Sequence, residues 1–299
     1  MEMEQLYQSY KPLLFSLAYR MLGSVMDAED IVQETFVTFE KLENPQSITN
    51  VKSYLCKITT NCCIDQLRSA SHKRETYVGT WLPEPVVEDY LADPASSYFM
   101  KESVSTAYLM LLQQLSEVER AVFLLREVFQ YDYDEIASMV DKSSTNCRQI
   151  FHRAKKSLVH EPDSYPQNYK QMSVYVEKFM AALQNGEISE MLQMLKKDAI
   201  FFADGGGKVK AAIKPIYTAD RITQLFKGVI NKLPENAAFN FKRVNGGPGI
   251  VVTIDGDVAY VVSFEFKDRK IKSVYMVANP DKLSRLNEDR SKGMKQGNN

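Results

Sequence analysis

Apolar residues recur at three- and four-residue spacings through "LLFSLAYRML" and "IVQETFVTF", so residues 3–70 read as helices broken at Gly23–Ser24. In the second segment Ile31, Val32, Thr35, Phe36 and Phe39 share one face. Asp27, Glu29, Asp30, Gln33, Glu34 and Glu40 make the other, mainly acidic one. A third helix starts near Asn50, a capping residue, with Val51, Leu55, Ile58 and Cys62 on one stripe and Lys57, Asn61, Asp65 and Arg68 opposite. The period is lost over 71–103. "GTWLPEPVVEDYLADPASS" has a linker's prolines and acids, but Trp81, Leu82, Val86 and Val87 are too apolar for a solvated tether, so this linker is expected to dock. Helical spacing returns over 104–160. There Ser116 and Glu119 form a capping box, and "DYDEIASMV", the turn "DKSS" and "TNCRQIFHRAKKSL" have the shape of a helix-turn-helix.

Pro162 and Pro166 mark a boundary. Two amphipathic helices follow, then alternating segments "AIFFAD", "AAFNFKRV", "GIVVTIDG", "VAYVVSFEF" and "IKSVYMVA", with the helix "ADRITQLFKGVI" after the first. The pattern predicts an α+β domain with helices on a curved antiparallel sheet, and a hairpin whose glycine turn joins "AIFFAD" to "KVKAAI". The tail after Leu286 is polar and expected to be disordered.

Charge and composition narrow the partners. A formal net charge of −1 argues against a surface coated in basic groups, but a local basic face suffices for nucleic acid. No apolar run is long enough to span a membrane, and the acidic start "MEMEQLYQSY" is unlike a secretory signal, so a cytoplasmic protein without membrane partners is expected. The four cysteines lack C-x-x-C spacing and only three histidines are present, so neither a metal site nor a cofactor is predicted.

One basic face exists. On "TNCRQIFHRAKKSL" the residues Cys147, Ile150, Phe151, Ala154 and Leu158 must face the core, leaving Ser144, Thr145, Arg148, Gln149, His152, Arg153, Lys155 and Lys156 outward. That arrangement suits a helix that reads a DNA groove. "GSVMDAEDIVQETFVTF" with "VKSYLCKITTNCCIDQLRSASHKRE" resembles region 2 of sigma factors, and "LSEVERAVFLLREVFQYDYDEIASMVDKSSTNCRQIFHRAKKSL" resembles their region 4. The layout, with no other sigma region between, is that of the extracytoplasmic-function (ECF) group. The resemblance implies two all-α sigma domains, core RNA polymerase and promoter DNA as partners, and site residues by position. Asp30, Gln33, Glu34 and Phe36 match the helix that grips core polymerase. Asn61, Asp65 and Arg68 match the segment beside the melted −10 element, although Asp65 has a competing role as an intrahelical partner of Arg68. Ser144, Thr145, Arg148, Gln149, His152, Arg153 and Lys156 belong to the helix that meets the −35 element.

The glycines of "FFADGGGKVKAA" fail as a phosphate loop of the G-x-x-x-x-G-K-[ST] type: Phe202 stands where the first glycine belongs and Val209 where a hydroxyl belongs. Residues 170–278 instead resemble a SnoaL-like domain, a cone-shaped α+β fold. ECF sigma factors bearing this extension share W-L-P-E-P, D-G-G-G-K and N-P-D-K-L, found here at Trp81–Pro85, Asp204–Lys208 and Asn279–Leu283. That resemblance implies regulation in cis. Trp81, Leu82, Pro83 and Pro85 would be a docking strip, Asp204, Gly205, Gly206, Gly207 and Lys208 a contact loop, and Asn279, Pro280 and Asp281 a second, switchable contact. The expected division is 1–70 (region 2), 71–103 (linker), 104–160 (region 4), 168–278 (SnoaL-like) and 279–299 (terminal segment and tail). Two other readings stay open: a pocket-bearing enzyme or small-molecule sensor fused to a DNA-binding module, and a plain repressor. Against an enzyme, 170–278 contains no histidine.

Overall fold

The computed structural model describes residues 3–44, 48–88, 104–158 and 168–296, the side chains of 71–75 and 289–296 apart. The second part of the expected linker, 89–103, and the boundary prolines Pro162 and Pro166 lie outside the described residues. Contacts divide the chain into two compact units. Among the described residues, unit 1 holds 3–76 and 108–158, and unit 2 holds 77–88, 104–107 and 168–296. The helical segments expected at 1–70 and 104–160 thus share one unit apart from 104–107, which, like linker residues 77–88, belong to the other.

Unit 1 contains α1 (Met3–Leu22), α2 (Val25–Glu40), α3 (Val51–Glu75), most of α4 (Thr106–Leu112), α5 (Glu117–Glu127), α6 (Tyr133–Val140) and α7 (Ser144–Ser157). Gly23 takes φ 71°, which only glycine adopts cheaply, and Ser24 then caps α2 by accepting from the Asp27 amide at 3.2 Å. The predicted capping box at Ser116 and Glu119 starts α5, and a second, at Asp132 and Glu135, starts α6. α6 stops at Asp141 in the left-handed region, and Ser143 caps α7 two residues later. This is the expected helix-turn-helix.

α3 packs against α5 and α6, and α1 against α5. The side chain of Arg120 is buried and donates to the Met21 carbonyl that ends α1. Tyr131 donates to the Cys56 thiol at 3.3 Å, and Ser53 to Glu135 at 3.2 Å. Burial pushes the Cys56 thiol up to about 11 and the Cys63 thiol well above its ordinary value. Because the thiolate is the nucleophile, iodoacetamide at pH 7.5 is expected to leave Cys56 and Cys63 unmodified in the native protein and to label both in denaturant, as read by mass spectrometry. Rapid native labelling of either would show that this core opens.

Unit 2 is a six-stranded sheet in the order β2-β1-β6-β5-β4-β3, with β1 (Leu195–Asp204), β2 (Ile216–Tyr217), β3 (Ala238–Val244), β4 (Gly247–Ile254), β5 (Asp257–Lys267) and β6 (Lys270–Val277). Its helices are α8 (Tyr169–Asn185), α9 (Ile188–Met194), α10 (Ala219–Ile230) and α11 (Pro280–Gln296). Phe179 of α8, Phe226 of α10 and Phe264 of β5 meet edge to face and anchor the core. Three expectations are corrected. The sheet is not wholly antiparallel, because β1 runs parallel to its neighbour β6. "KVKAAI" forms no hairpin with β1; residues 205–215 are loop, and β1 pairs antiparallel with two-residue β2 instead. The tail is helical: α11 begins with Pro280 at its first position and buries Leu283 and Leu286. Among the described residues no helix is long and apolar enough to cross a membrane.

Candidate functional site

β1 ends at Asp204, whose side chain is fully buried. A buried carboxylate is costly unless its acceptor sites are filled. Here four donors fill them. Oδ1 accepts from the Tyr77 hydroxyl at 2.5 Å and the Gly206 amide at 3.0 Å. Oδ2 accepts from the Leu82 amide at 2.9 Å and from Lys282 Nζ at 2.7 Å. Lys282 also donates to the Leu82 carbonyl, and its ammonium lies 3.9 Å from the centre of the Trp81 ring. The three short motifs therefore meet at one point: the linker strip around Leu82, the glycine loop after Asp204 and the start of α11.

The glycines are needed for approach. Gly206 has φ 59°, and a Cβ there would fall 2.3 Å from Asn279 Nδ2. A Cβ on Gly207 would press on Val78 of the linker at 3.1 Å. Asn279 is itself a junction: its Nδ2 donates to the Tyr77 hydroxyl at 2.9 Å and its Oδ1 accepts from the Asp281 amide at 3.1 Å, beside the start of α11. Burial, and then the adjacent Asp204 carboxylate, raise the Tyr77 hydroxyl well above its ordinary value, so it stays a donor to Asp204. Lys208 pairs with Asp281 at 2.7 Å, and both side chains are exposed.

A second clamp lies four residues along the linker. The Val86 amide donates to Asn245 Oδ1 at 2.9 Å, the Asn245 amide donates back to the Val86 carbonyl at 2.9 Å, and Val87 bridges Val244 as an added strand residue. Asn245 and Gly246 both have positive φ and form the tight turn between β3 and β4. Pro83 and Pro85 lie buried between the clamps, each with a fixed φ that lowers the entropy of ordering the strip. The far end of the linker is held too, by a 2.9 Å hydroxyl contact between Thr106 and Ser263.

In unit 1, Asp30, Gln33 and Glu34 are exposed on α2, and the exposed apolar residues Met26 and Val37 continue their face. Phe36 does not join them; it is buried with its ring 4.9 Å from Tyr7 and supports that face from inside. On α3, Asn61 is exposed, and Arg68 pairs with Asp65 at 3.6 Å and with Glu117 of α5 at 3.1 Å. On α7, Thr145, Arg148, Gln149, His152, Arg153 and Lys156 are exposed and Ser144 half-buried. Arg148 lies over Tyr133, Arg153 pairs with Glu119 at 2.7 Å, and Lys155 pairs with Glu127 at 3.2 Å. Three carboxylates of α5 thus face three cations of the expected DNA surface. The Glu117 carboxyl is held low, first by its own backbone amide and then by Arg68; the Glu119 carboxyl is held low by Ser116 and Arg153.

Sequence reasoning missed Lys282, Tyr77 and Asn245 as individual anchors. Lys282 sits inside the quoted N-P-D-K-L and Asn245-Gly246 was legible only as a turn signal. Tyr77 gave no local signal.

Residues 6–73 match the family described as Sigma-70 region 2, and residues 105–158 match Sigma-70, region 4. The ECF RNA polymerase sigma factor SigJ of Mycobacterium tuberculosis is 30% identical over 293 residues, covering 93% of this chain and 92% of that protein. The probable ECF RNA polymerase sigma factor SigI of the same species is 26% identical over 285 residues, covering 94% of each. A crystal structure of SigJ aligns with a TM-score of 0.74 at 26% identity, over 94% of this chain and 98% of that one.

Proposed function

This chain belongs to the ECF RNA polymerase sigma factors, and from that premise we propose that unit 2 governs promoter-specific initiation by clamping the linker between the two promoter-reading modules. As a member of that family the chain binds RNA polymerase and promoter DNA. We assign polymerase contact to the α2 face of Asp30, Gln33 and Glu34, widened to Met26 and Val37. Asn61 and Arg68 serve the −10 element, and the exposed residues of α7 the −35 element. Unit 2 is regulatory, and the protein works in the cytoplasm, where its polymerase is.

The observation that carries this reading is the double clamp on Tyr77–Glu88 together with the hold on Thr106. The chain leaves α3 near residue 76 and enters region 4 near residue 106. Free, the roughly 30 residues between would reach on the order of 100 Å. With both ends held on one body, that reach is lost, and with it the freedom of the modules to take up positions on separate promoter elements. Release of the clamp restores it, so the docked state restrains initiation and a signal that undocks the strip activates. Each module alone needs only weak DNA affinity, because polymerase supplies the effective concentration.

Glu117 adds a local brake, since it occupies the Arg68 guanidinium that the −10 segment needs. Glu117→Gln is expected to strengthen binding of the polymerase complex to promoter DNA and to steepen its salt dependence by at most about 0.9 in log–log slope, the value for one freed phosphate contact. Titration of a fluorescent promoter fragment at several salt concentrations reads both. An unchanged slope would leave the Arg68–Glu117 pair a surface ion pair of no regulatory weight. The general reading is tested by replacing Arg148 and Gln149 with alanine: initiation at a −35-dependent promoter should fall by at least about thirtyfold, matching about 1–3 kcal/mol for each of the two lost base contacts.

A further inference from the structure

Unit 2 encloses a cavity of about 60 Å³ between α8, α10 and one face of the sheet. Phe179, Phe226 and Phe264 form its floor, meeting edge to face at 5.9 and 6.1 Å. The half-buried side chains of Val229, Leu233, Phe239 and Tyr260 rim a mouth at the end of α10. The wall contains no charged side chain and no histidine, and its one hydroxyl belongs to Tyr260.

That chemistry selects the occupant. An ionised ligand would lose its hydration with no partner in return, and acid–base catalysis has no group to perform it. Apolar cavities of this kind stay dry and take up hydrocarbon; about 150 Å³ admits benzene. The smaller space excludes a rigid ring but accepts the end of an alkyl chain, whose remainder can lie along the apolar rim. The wall is also joined to the clamp. Met276 of the wall pairs across β6 and β1 with Ala203, the residue before Asp204. Phe239 lies on β3, which ends beside Asn245. We propose that this cavity binds an uncharged, chain-like apolar small molecule and is the input to the clamp. The second part rests on the regulatory reading given above; the binding site itself does not.

The test uses the full chain with 1-octanol as probe and sodium octanoate as its charged counterpart. Octanol should raise the unfolding temperature of unit 2 saturably and shift the methyl NMR signals of Met276 and Met180. Val262→Phe, which fills the space, should weaken octanol binding at least tenfold, and octanoate should bind the native chain at least tenfold more weakly than octanol. If Val262→Phe does not fold by circular dichroism, Val229→Phe at the mouth serves instead. A non-saturating response, equal binding by the filled variant, or octanoate binding as well as octanol would each overturn the proposal. Binding that leaves the amide protection of Leu82 and Val86 unchanged would remove the coupling to the clamp while leaving both the site and the clamp standing.

Discussion

Lys282→Met is expected to lower the stability of unit 2 by about 3–5 kcal/mol, the usual effect of removing one partner of a buried ion pair. The Asp204 carboxylate is wholly inaccessible and the Lys282 side chain 12% exposed, so water cannot replace the ammonium without local opening. The three remaining donors to Asp204 come from Tyr77, Leu82 and Gly206, two of them on the linker strip, and they would be left to neutralise the charge alone. The strain falls on the contact the clamp depends on. Adding Asp204→Asn to Lys282→Met should recover part of the loss, because the amide oxygen still accepts hydrogen bonds while the unpaired charge is gone. Lys208→Ala is the control. The Lys208–Asp281 pair has the same 2.7 Å separation, but with side chains 54% and 63% exposed it should contribute less than about 1 kcal/mol. Chemical denaturation, following the unit 2 transition separately from that of unit 1, gives the loss for each of the three variants. Equal losses for Lys282→Met and Lys208→Ala would contradict the assigned hierarchy.

The second large effect belongs to Gly206→Ala. A methyl group there would lie 2.3 Å from Asn279 Nδ2 and 2.5 Å from its Cγ, so Asn279 must move. The backbone at φ 59° adds about 1–2 kcal/mol for any L-residue. Displacing Asn279 also breaks its bond to Tyr77 and its contact with the Asp281 amide at the start of α11. A total of about 2–4 kcal/mol follows, with the losses centred on α11 and the linker. Gly186→Ala makes a matched comparison: its φ is 72°, yet a Cβ there meets nothing within 4 Å, so only the backbone penalty applies. Hydrogen exchange should show the Leu82 amide losing protection in Gly206→Ala and keeping it in Gly186→Ala.

Much of this molecule is legible locally. The helical stripes of α1–α3, the capping box at Ser116 and the short polar turn before α7 are short-range features, and periodicity with side-chain chemistry suffices to read them. The linker's misplaced hydrophobicity also pointed correctly to docking, since Leu82, Val86 and Val87 are buried. What local reading cannot supply is pairing across the chain. "KVKAAI" alternates like a strand, but β1 already has β6 on one side and β2 on the other, so no edge is left for it. The parallel pairing of β1 with β6 joins residues about 75 apart, and the Lys282–Leu82 contact spans 200. The tail after Leu286 reads as disordered because it is polar, yet Leu283 and Leu286 just before it, at i, i+3 spacing, seat the helix α11 that continues through it. Asp204, in turn, reads as a loop acid until the donors from two distant segments, the linker strip and α11, are brought to it.

The account stands most directly on run-off transcription from a cognate promoter by purified core polymerase reconstituted with native or Lys282→Met chain at equal occupancy. The clamp account predicts more transcript from the variant, accompanied by loss of amide protection at Leu82 and Val86 in the free protein. Transcript equal to or below the native level, with that protection lost, would contradict it: the strip would have come free without lifting any restraint.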